Sequence, residues 1–362
     1  MWRTPVVPVV QMSDTQTDSD SACTDTERFT AAQELVEGLW SGQVLHAAVE
    51  VGLVDCLDEE PTSAETLAAE LELDPDATYR LLRALSHFGV LREDDSRRFA
   101  LTPVGQFFRA DHPRSVRPGL VLFHSREWIT AMTHLPDIVR EGGPDGFVRE
   151  HGRGIFDYMS DAPEFARAFD EFMTAMSHQH AQAVLGVLEG YDVSQFDRVC
   201  DVGGGQGYLC CRLLAQYPNL DGTVFDRPSV VAEEPDLPGE FGVDDRCEYV
   251  GGDMFESVPE ADAYVLKWLL HDWDDEACVD VLSTIRDNAL PDARLFVVEA
   301  VVPGPEQSHF SKQLDMTMLI HMGGRERTRD EYVALLDRAG WTIADEWVPP
   351  EGPMRILEAT TD

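Results

Sequence analysis

Strand-like apolar runs that alternate with helices from Phe196 onward, a glycine turn after the first of them, and a helix–helix–helix–hairpin pattern ahead of them predict the fold class. It is an α/β Rossmann-like domain preceded by an α-helical winged-helix domain.

The elements follow in order. Residues 1 to 27 form an acidic tail expected to be disordered, and Met12 is an alternative start that would make the first eleven residues an annotation artefact. From Phe29 to Leu53, Leu35, Leu39, Val44, Ala47 and Val51 recur at helical spacing and predict a long helix with a wide apolar face. Ser63 to Leu71 and Ala77 to Phe88 are two shorter helices, the second opened by Asp74 as N-cap and Pro75 at the first helical position. Val90-Leu91-Arg92 and Arg98 to Leu101 flank Asp94-Asp95-Ser96 as a hairpin, which completes a winged helix over 28–112. Residues 113–190 are helical, ending in a long stretch from Glu164 to Leu188, and form a connector. The domain over 191–362 carries strands at Val199–Val202, Thr223–Phe225, Glu248–Val250, Ala263–Leu266, Leu295–Ala300, Trp341–Trp347 and Met354–Glu358.

Composition excludes several functions. The chain of 362 residues has 67 acidic against 28 basic side chains, a formal charge of −39, and lysine only at Lys267 and Lys312. Such a balance suits a soluble protein of a salt-rich, halophilic cytoplasm and argues against nucleic acid, since the third helix offers only Arg80, Arg83 and His87 to phosphate. Seven scattered cysteines without C-x-x-C spacing read as free thiols in a reducing compartment, and no apolar run reaches membrane-spanning length.

Chemistry concentrates at the strand ends, where the ligand crevice of a doubly wound sheet lies. Asp201-Val202-Gly203-Gly204-Gly205-Gln206-Gly207-Tyr208 brings glycines to a strand-to-helix turn that can cradle an anionic group. The third position of the dinucleotide fingerprint is Tyr208, which favours S-adenosylmethionine (SAM) over NAD. Asp226 ends the second strand as a ribose ligand or, alternatively, a turn aspartate before Arg227-Pro228. Asp253 and Met254 follow the third strand as an adenine site or a strand-end turn, and Lys267 ends the fourth. His271 stands just outside that strand in an acid cluster read as a helix cap, with no His or Cys set to indicate a metal. Glu299 ends the next strand and Glu326 precedes a helix capped by Thr328 and Glu331. Both glutamates can be surface residues, but a histidine flanked by carboxylates is also the arrangement a general base requires.

Together the motifs Asp201-Val202-Gly203-Gly204-Gly205, Phe225-Asp226-Arg227-Pro228, Gly252-Asp253-Met254-Phe255, Lys267 to Trp273 and Gly323 to Thr328 resemble the SAM-dependent O-methyltransferases of the plant caffeate, bacterial polyketide and acetylserotonin type. The resemblance covers about residues 28 to 362. It implies His271 as catalytic base oriented by Glu299 and Glu326, and Gly203, Gly205, Asp226, Asp253, Met254 and Lys267 at SAM. It further implies Phe165, Phe169, Met173 and Met318 at the acceptor, and a homodimer through the winged-helix domain. Met159, where plant members have His, and Met322, where they have Pro, depart from the plant acceptors. The expected reaction is methylation of a phenolic hydroxyl of a small molecule without a metal. N-methylation, a SAM-assisted step without transfer, and a SAM-sensing winged-helix regulator are the alternatives.

Overall fold

The computed structural model describes residues 24–361 except 189, 233–236 and 350–352, so most of the expected tail, with Cys23, lies outside the described residues. It divides into two compact units, Met1–Ile129 with Pro163–Phe172, and Thr130–Ala162 with Met173–Asp362.

In the first unit, helix α1 (Asp25–Glu50) begins four residues earlier than periodicity suggested, and so takes in the last residues assigned to the tail. The Thr24 hydroxyl and the Glu27 carboxylate form a reciprocal capping box that nucleates it there. It stops at Glu50 rather than Leu53 because Gly52 takes φ +80°. Strand β1 (Thr62–Ser63) leads into α2 (Ala64–Glu70), and α3 (Pro75–His87) starts on the expected Asp74 cap, whose carboxylate accepts from Ala77 N–H at 2.8 Å. Strands β2 (Leu91–Glu93) and β3 (Arg98–Leu101) form the hairpin, and β1 adds a third strand on the far side of β3, in the order β1-β3-β2. A two-residue strand carries no alternation, so the sequence could not announce it.

The apolar residues of α1 divide by face. Leu45, Ala48 and Val49 are buried in this unit's core, whereas Phe29, Leu35, Val36, Leu39 and Trp40 are exposed, Trp40 at 75% and Leu35 at 85%. The stripe picked out by spacing therefore points mostly outward. Five large apolar side chains on one exposed helix segment exceed what scattered surface residues explain.

Helices α4 (Arg117–Phe123), α5 (Arg126–Met132), α6 (Leu135–Glu141), α7 (Gly146–His151), α8 (Ile155–Met159) and the long α9 (Pro163–Leu188) fill the expected helical region. The second unit is built on a seven-stranded sheet of β4 (Arg198–Val202), β5 (Asp221–Asp226), β6 (Cys247–Gly251), β7 (Ala263–Lys267), β8 (Arg294–Glu299), β9 (Thr342–Trp347) and β10 (Arg355–Thr360). All seven expected strands are present, within one or two residues. The order is β6-β5-β4-β7-β8-β10-β9, parallel from β6 to β8, with β10 and β9 antiparallel at one side. The chain starts at β4, steps outward to β6, then returns to β7 on the other side of β4. That reversal puts the topological switch point, and hence a ligand crevice, at the carboxyl ends of β4 and β7. Helix α10 (Tyr208–Gln216), α11 (Pro228–Val231), α12 (Leu237–Phe241), α13 (Asp275–Asn288), α14 (Phe310–Thr317) and α15 (Arg329–Arg338) complete the unit, the last on the expected Thr328–Glu331 capping box. Among the described residues no helix is long and apolar enough to cross a membrane.

Candidate active site

Five parallel strands end at one edge, and each expected cofactor residue stands at such an end. After β4 the backbone turns through Gly203, Gly205 and Gly207 at φ +71°, +57° and +79°, values that side chains other than glycine rarely adopt. A Cβ at Gly207 would lie 2.6 Å from the Tyr249 hydroxyl and 2.7 Å from Val224, while one at Gly205 would meet nothing within 4 Å. The turn is thus packed against β5 and β6 on one side and open at its tip. Asp226 holds that shape: its Oδ2 accepts from Gly205 N–H at 2.8 Å and its Oδ1 from Arg227 N–H at 2.7 Å. Asp253 Oδ1 accepts from Phe255 N–H at 2.9 Å, the strand-end turn of the sequence reading, and Met254 is half-buried beside it. Gly252 N–H donates to the Asp226 carbonyl, so the β5 and β6 ends are tied together.

Asp201 and Lys267 lie beneath this turn. Burial pushes the Asp201 carboxyl up to about 6, against the pull of Lys267. Burial draws the Lys267 ammonium down, against Asp201 and Glu299, and its Nζ donates to Ser177 Oγ of α9 at 3.3 Å. The sequence reading found the lysine but not its buried counter-charge.

The chain then reverses sharply. Trp268 takes φ +50°, a left-handed conformation held because its N–H donates to the Val298 carbonyl at 3.0 Å and its indole N–H points at Met354 Sδ. This bend starts the short turn Leu270–Asp272 and places His271 inside the protein, 4% exposed. His271 Nδ1 lies 2.7 Å from Glu326 Oε1 and 3.7 Å from Glu299 Oε2, and Nε2 lies 3.6 Å from Asp272 Oδ1. Glu299 Oε1 in turn accepts from the N–H groups of Leu269 and Leu270, and Glu326 N–H donates to Asp315 Oδ1.

Both glutamates are therefore buried, not surface residues, and the acid cluster divides. Asp274 caps α13 as expected, whereas Asp272 turns inward beside His271. Burial opposes a charge on the imidazole, but Glu299, Asp272 and Glu326 outweigh it and push His271 up to about 10. Burial lifts Glu299 to about 7 despite His271. His271 and Glu299 lie buried within 3.7 Å of one another, so the protonation of each depends on the charge of the other. His271, Glu299 and Glu326 also place ligating atoms within 4.8 Å of one another, close enough to share a cation.

The loop carrying Glu326 is locked to the loop carrying His271. Arg325 N–H donates to the His271 carbonyl at 2.8 Å, and a Cβ at Gly324 would sit 1.9 Å from that carbonyl oxygen. Arg327, 1% exposed, donates to the Leu270 and Trp273 carbonyls and to Asp275. Arg327 was not singled out from sequence; in so polar a stretch nothing marks it as buried.

The expected acceptor residues are divided between the two compact units. Phe165 and Phe169 belong to the first compact unit, whereas Met173 and Met318 belong to the second, where both pack into the core on one side of the sheet. Met318 opens a single π-helical turn to Met322, a distortion that often accompanies function.

Two domain families match the chain: the O-methyltransferase dimerisation domain over residues 33–111 and the O-methyltransferase domain over 132–342. Phenazine O-methyltransferase PhzM of Lysobacter antibioticus is 34% identical over 90% of this chain and 94% of its own. The 8-amino-8-demethylriboflavin N,N-dimethyltransferase of Streptomyces davaonensis is 33% identical over 88% and 93%. The structure of human N-acetylserotonin methyltransferase in complex with SAM superposes with a TM-score of 0.80 at 25% identity, over 94% of this chain and 99% of that one. The glycine turn, open at its tip and backed by Asp226, fits such a cofactor. With a domain match over more than half its length and relatives a third identical over about nine-tenths of it, the chain belongs to the O-methyltransferase family and is a SAM-dependent enzyme.

Proposed function

We propose that the protein methylates a phenolic hydroxyl of a small molecule with His271 as general base. The observation that carries this reading is the buried imidazole at the end of β7, with Nδ1 2.7 Å from Glu326 and Glu299 alongside. Bound SAM supplies an electrophilic methyl group. The chain's own residues do the rest: Gly203, Gly205 and Asp226 orient the amino-acid and ribose parts, Asp253 and Met254 hold the adenine, and Lys267 lies near the cofactor. His271 removes the proton of the acceptor hydroxyl, and Glu326 fixes the ring so that Nε2 is the basic atom. Neutralisation of charge in the step favours a dry pocket. Incubation with deuteromethyl-labelled SAM and a panel of phenols should yield labelled methyl ethers by mass spectrometry. Labelled amines in their place would support N-transfer, the second reading, which rests on the N,N-dimethyltransferase relative.

The exposed apolar face of α1 and the dimerisation-domain match support a winged-helix domain that pairs two copies. Light scattering should give twice the chain mass, and Leu39→Asp with Trp40→Asp should give a monomer. A wild-type monomer in molar salt would contradict the dimer.

The charge of −39 supports a salt-adapted cytoplasmic protein. Raising potassium chloride shortens the screening length from ~10 Å at 0.1 M to ~3 Å at 1 M, which relieves self-repulsion. Melting temperature and activity should both rise across that series; a flat or falling melting curve would remove the halophile reading.

A further inference from the structure

Glu326 meets His271 through one carboxylate oxygen. Oε1 lies 2.7 Å from Nδ1, while the other oxygen, Oε2, is buried without a hydrogen-bond partner. With no second bond to fix the direction of the carboxylate, where it points depends on where the main chain of Glu326 is held.

Two ties of this segment run to the His271 loop itself. Arg325 N–H donates to the His271 carbonyl, and the Arg327 guanidinium donates to the Leu270 and Trp273 carbonyls. They bind the two loops to each other. Asp315, in the last turn of α14, is an anchor from another element: its Oδ1 accepts from the N–H of Glu326 itself at 2.9 Å, across 11 positions of chain. Between them α14 gives way to the π-helical turn Met318–Met322, which Gly323 ends at φ +76°. A carboxylate acceptor makes this the stronger, charge-assisted kind of bond.

We propose that Asp315 is a positioning residue: by gripping Glu326 N–H it keeps the Glu326 carboxylate in line with His271 Nδ1, and it acts on the base through that carboxylate. This rests on the reading of His271 as the base. The groups facing His271 are Glu326, Glu299 from the end of β8 and Asp272 of its own turn, with the neutral His180 of α9 across the Trp268 indole. Lys267 acts on Glu299, and the buried Tyr332 feels Glu299 and Glu326. A double variant separates Asp315 from all of these.

The whole chain is labelled with carbon-13 at histidine Cε1, and the His271 signal is the one missing from His271→Gln. Its titration midpoint is followed by NMR through the alkaline range, beside turnover of the panel phenol that wild type methylates fastest. Asp315→Ala should move the midpoint down, in the direction of Glu326→Gln but by a smaller step, as a weakened opposite charge requires. At the alkaline plateau kcat should fall roughly tenfold to a hundredfold with KM for SAM unchanged. Asp315→Asn keeps an oxygen that accepts and should restore both. Added to Glu326→Gln, Asp315→Ala should leave the midpoint where Glu326→Gln alone puts it, since the charge that Asp315 positions is gone. If Asp315→Ala does not bind S-adenosylhomocysteine, Asp315→Ser, whose hydroxyl stops one bond short of the carboxylate oxygen, takes its place on the same terms. A wild-type midpoint in the folded variant, an equal step with and without Glu326, or Asp315→Asn behaving like Asp315→Ala would overturn the assignment. Midpoints that move as expected with turnover untouched uphold Asp315 and count instead against His271 as the base. A midpoint unmoved by Glu326→Gln itself removes both.

Discussion

His271→Gln is expected to lower turnover by roughly 10²–10⁴-fold while the dissociation constant for SAM stays nearly unchanged, since a positioned base contributes about that range. The ring reaches the Glu326 and Glu299 carboxylates rather than the glycine turn, so its loss should not disturb the cofactor. Gln fills similar space and can still donate to Glu326, which limits the damage to the buried cluster. Full activity in the variant would remove His271 from the chemistry.

Asp226→Ala should weaken SAM binding by about 1–3 kcal/mol, the cost of leaving buried donors unpaired. Two losses act together there. In the proposed site the ribose hydroxyls lose their acceptor, and Gly205 N–H loses the carboxylate that now holds it at 2.8 Å, so the open tip of the turn is no longer fixed. Asp226→Asn should retain part of the affinity, because an amide oxygen still accepts one of the two backbone bonds. Calorimetry giving wild-type affinity for Asp226→Ala would withdraw the residue from the cofactor site.

The strand ends were legible in the sequence because each apolar run stops at a polar or glycine residue, and period-two and buried strands leave that signature whatever their neighbours. Gly203, Asp226, Asp253, Lys267 and Glu299 were found this way. The contact between His271 and Glu326 was not readable from spacing: the two are 55 positions apart, and only the resemblance joined them. Asp272 was taken for part of a helix cap because caps and buried acids look alike in sequence. Asp201 and Arg327 stand in the quoted motifs, but their burial was not readable, for the related reason that burial of a polar side chain is decided by tertiary packing. On α1 the period was right and the face was not, since the exposed stripe from Phe29 to Trp40 is as apolar as the buried one.

The pH dependence of kcat/KM tests the central claim most directly. A base must be unprotonated to act, and its neighbours hold His271 up at about 10 against an ordinary 6.5. For the fold, that raised value contributes stability that is complete below about 6.5 and is lost as pH rises through about 10. For the rate the sign is opposite: kcat/KM should climb with pH through the alkaline range as His271 sheds its proton. Ionisation of a phenolic acceptor could produce a similar limb, so the decisive comparison is Glu326→Gln, which removes one carboxylate and leaves the acceptor untouched. The account predicts a limb about 1–3 pH units lower in Glu326→Gln than in wild type, as loss of a neighbouring opposite charge requires. A limb that stays in place, or moves to higher pH, would contradict a His271 base governed by Glu326.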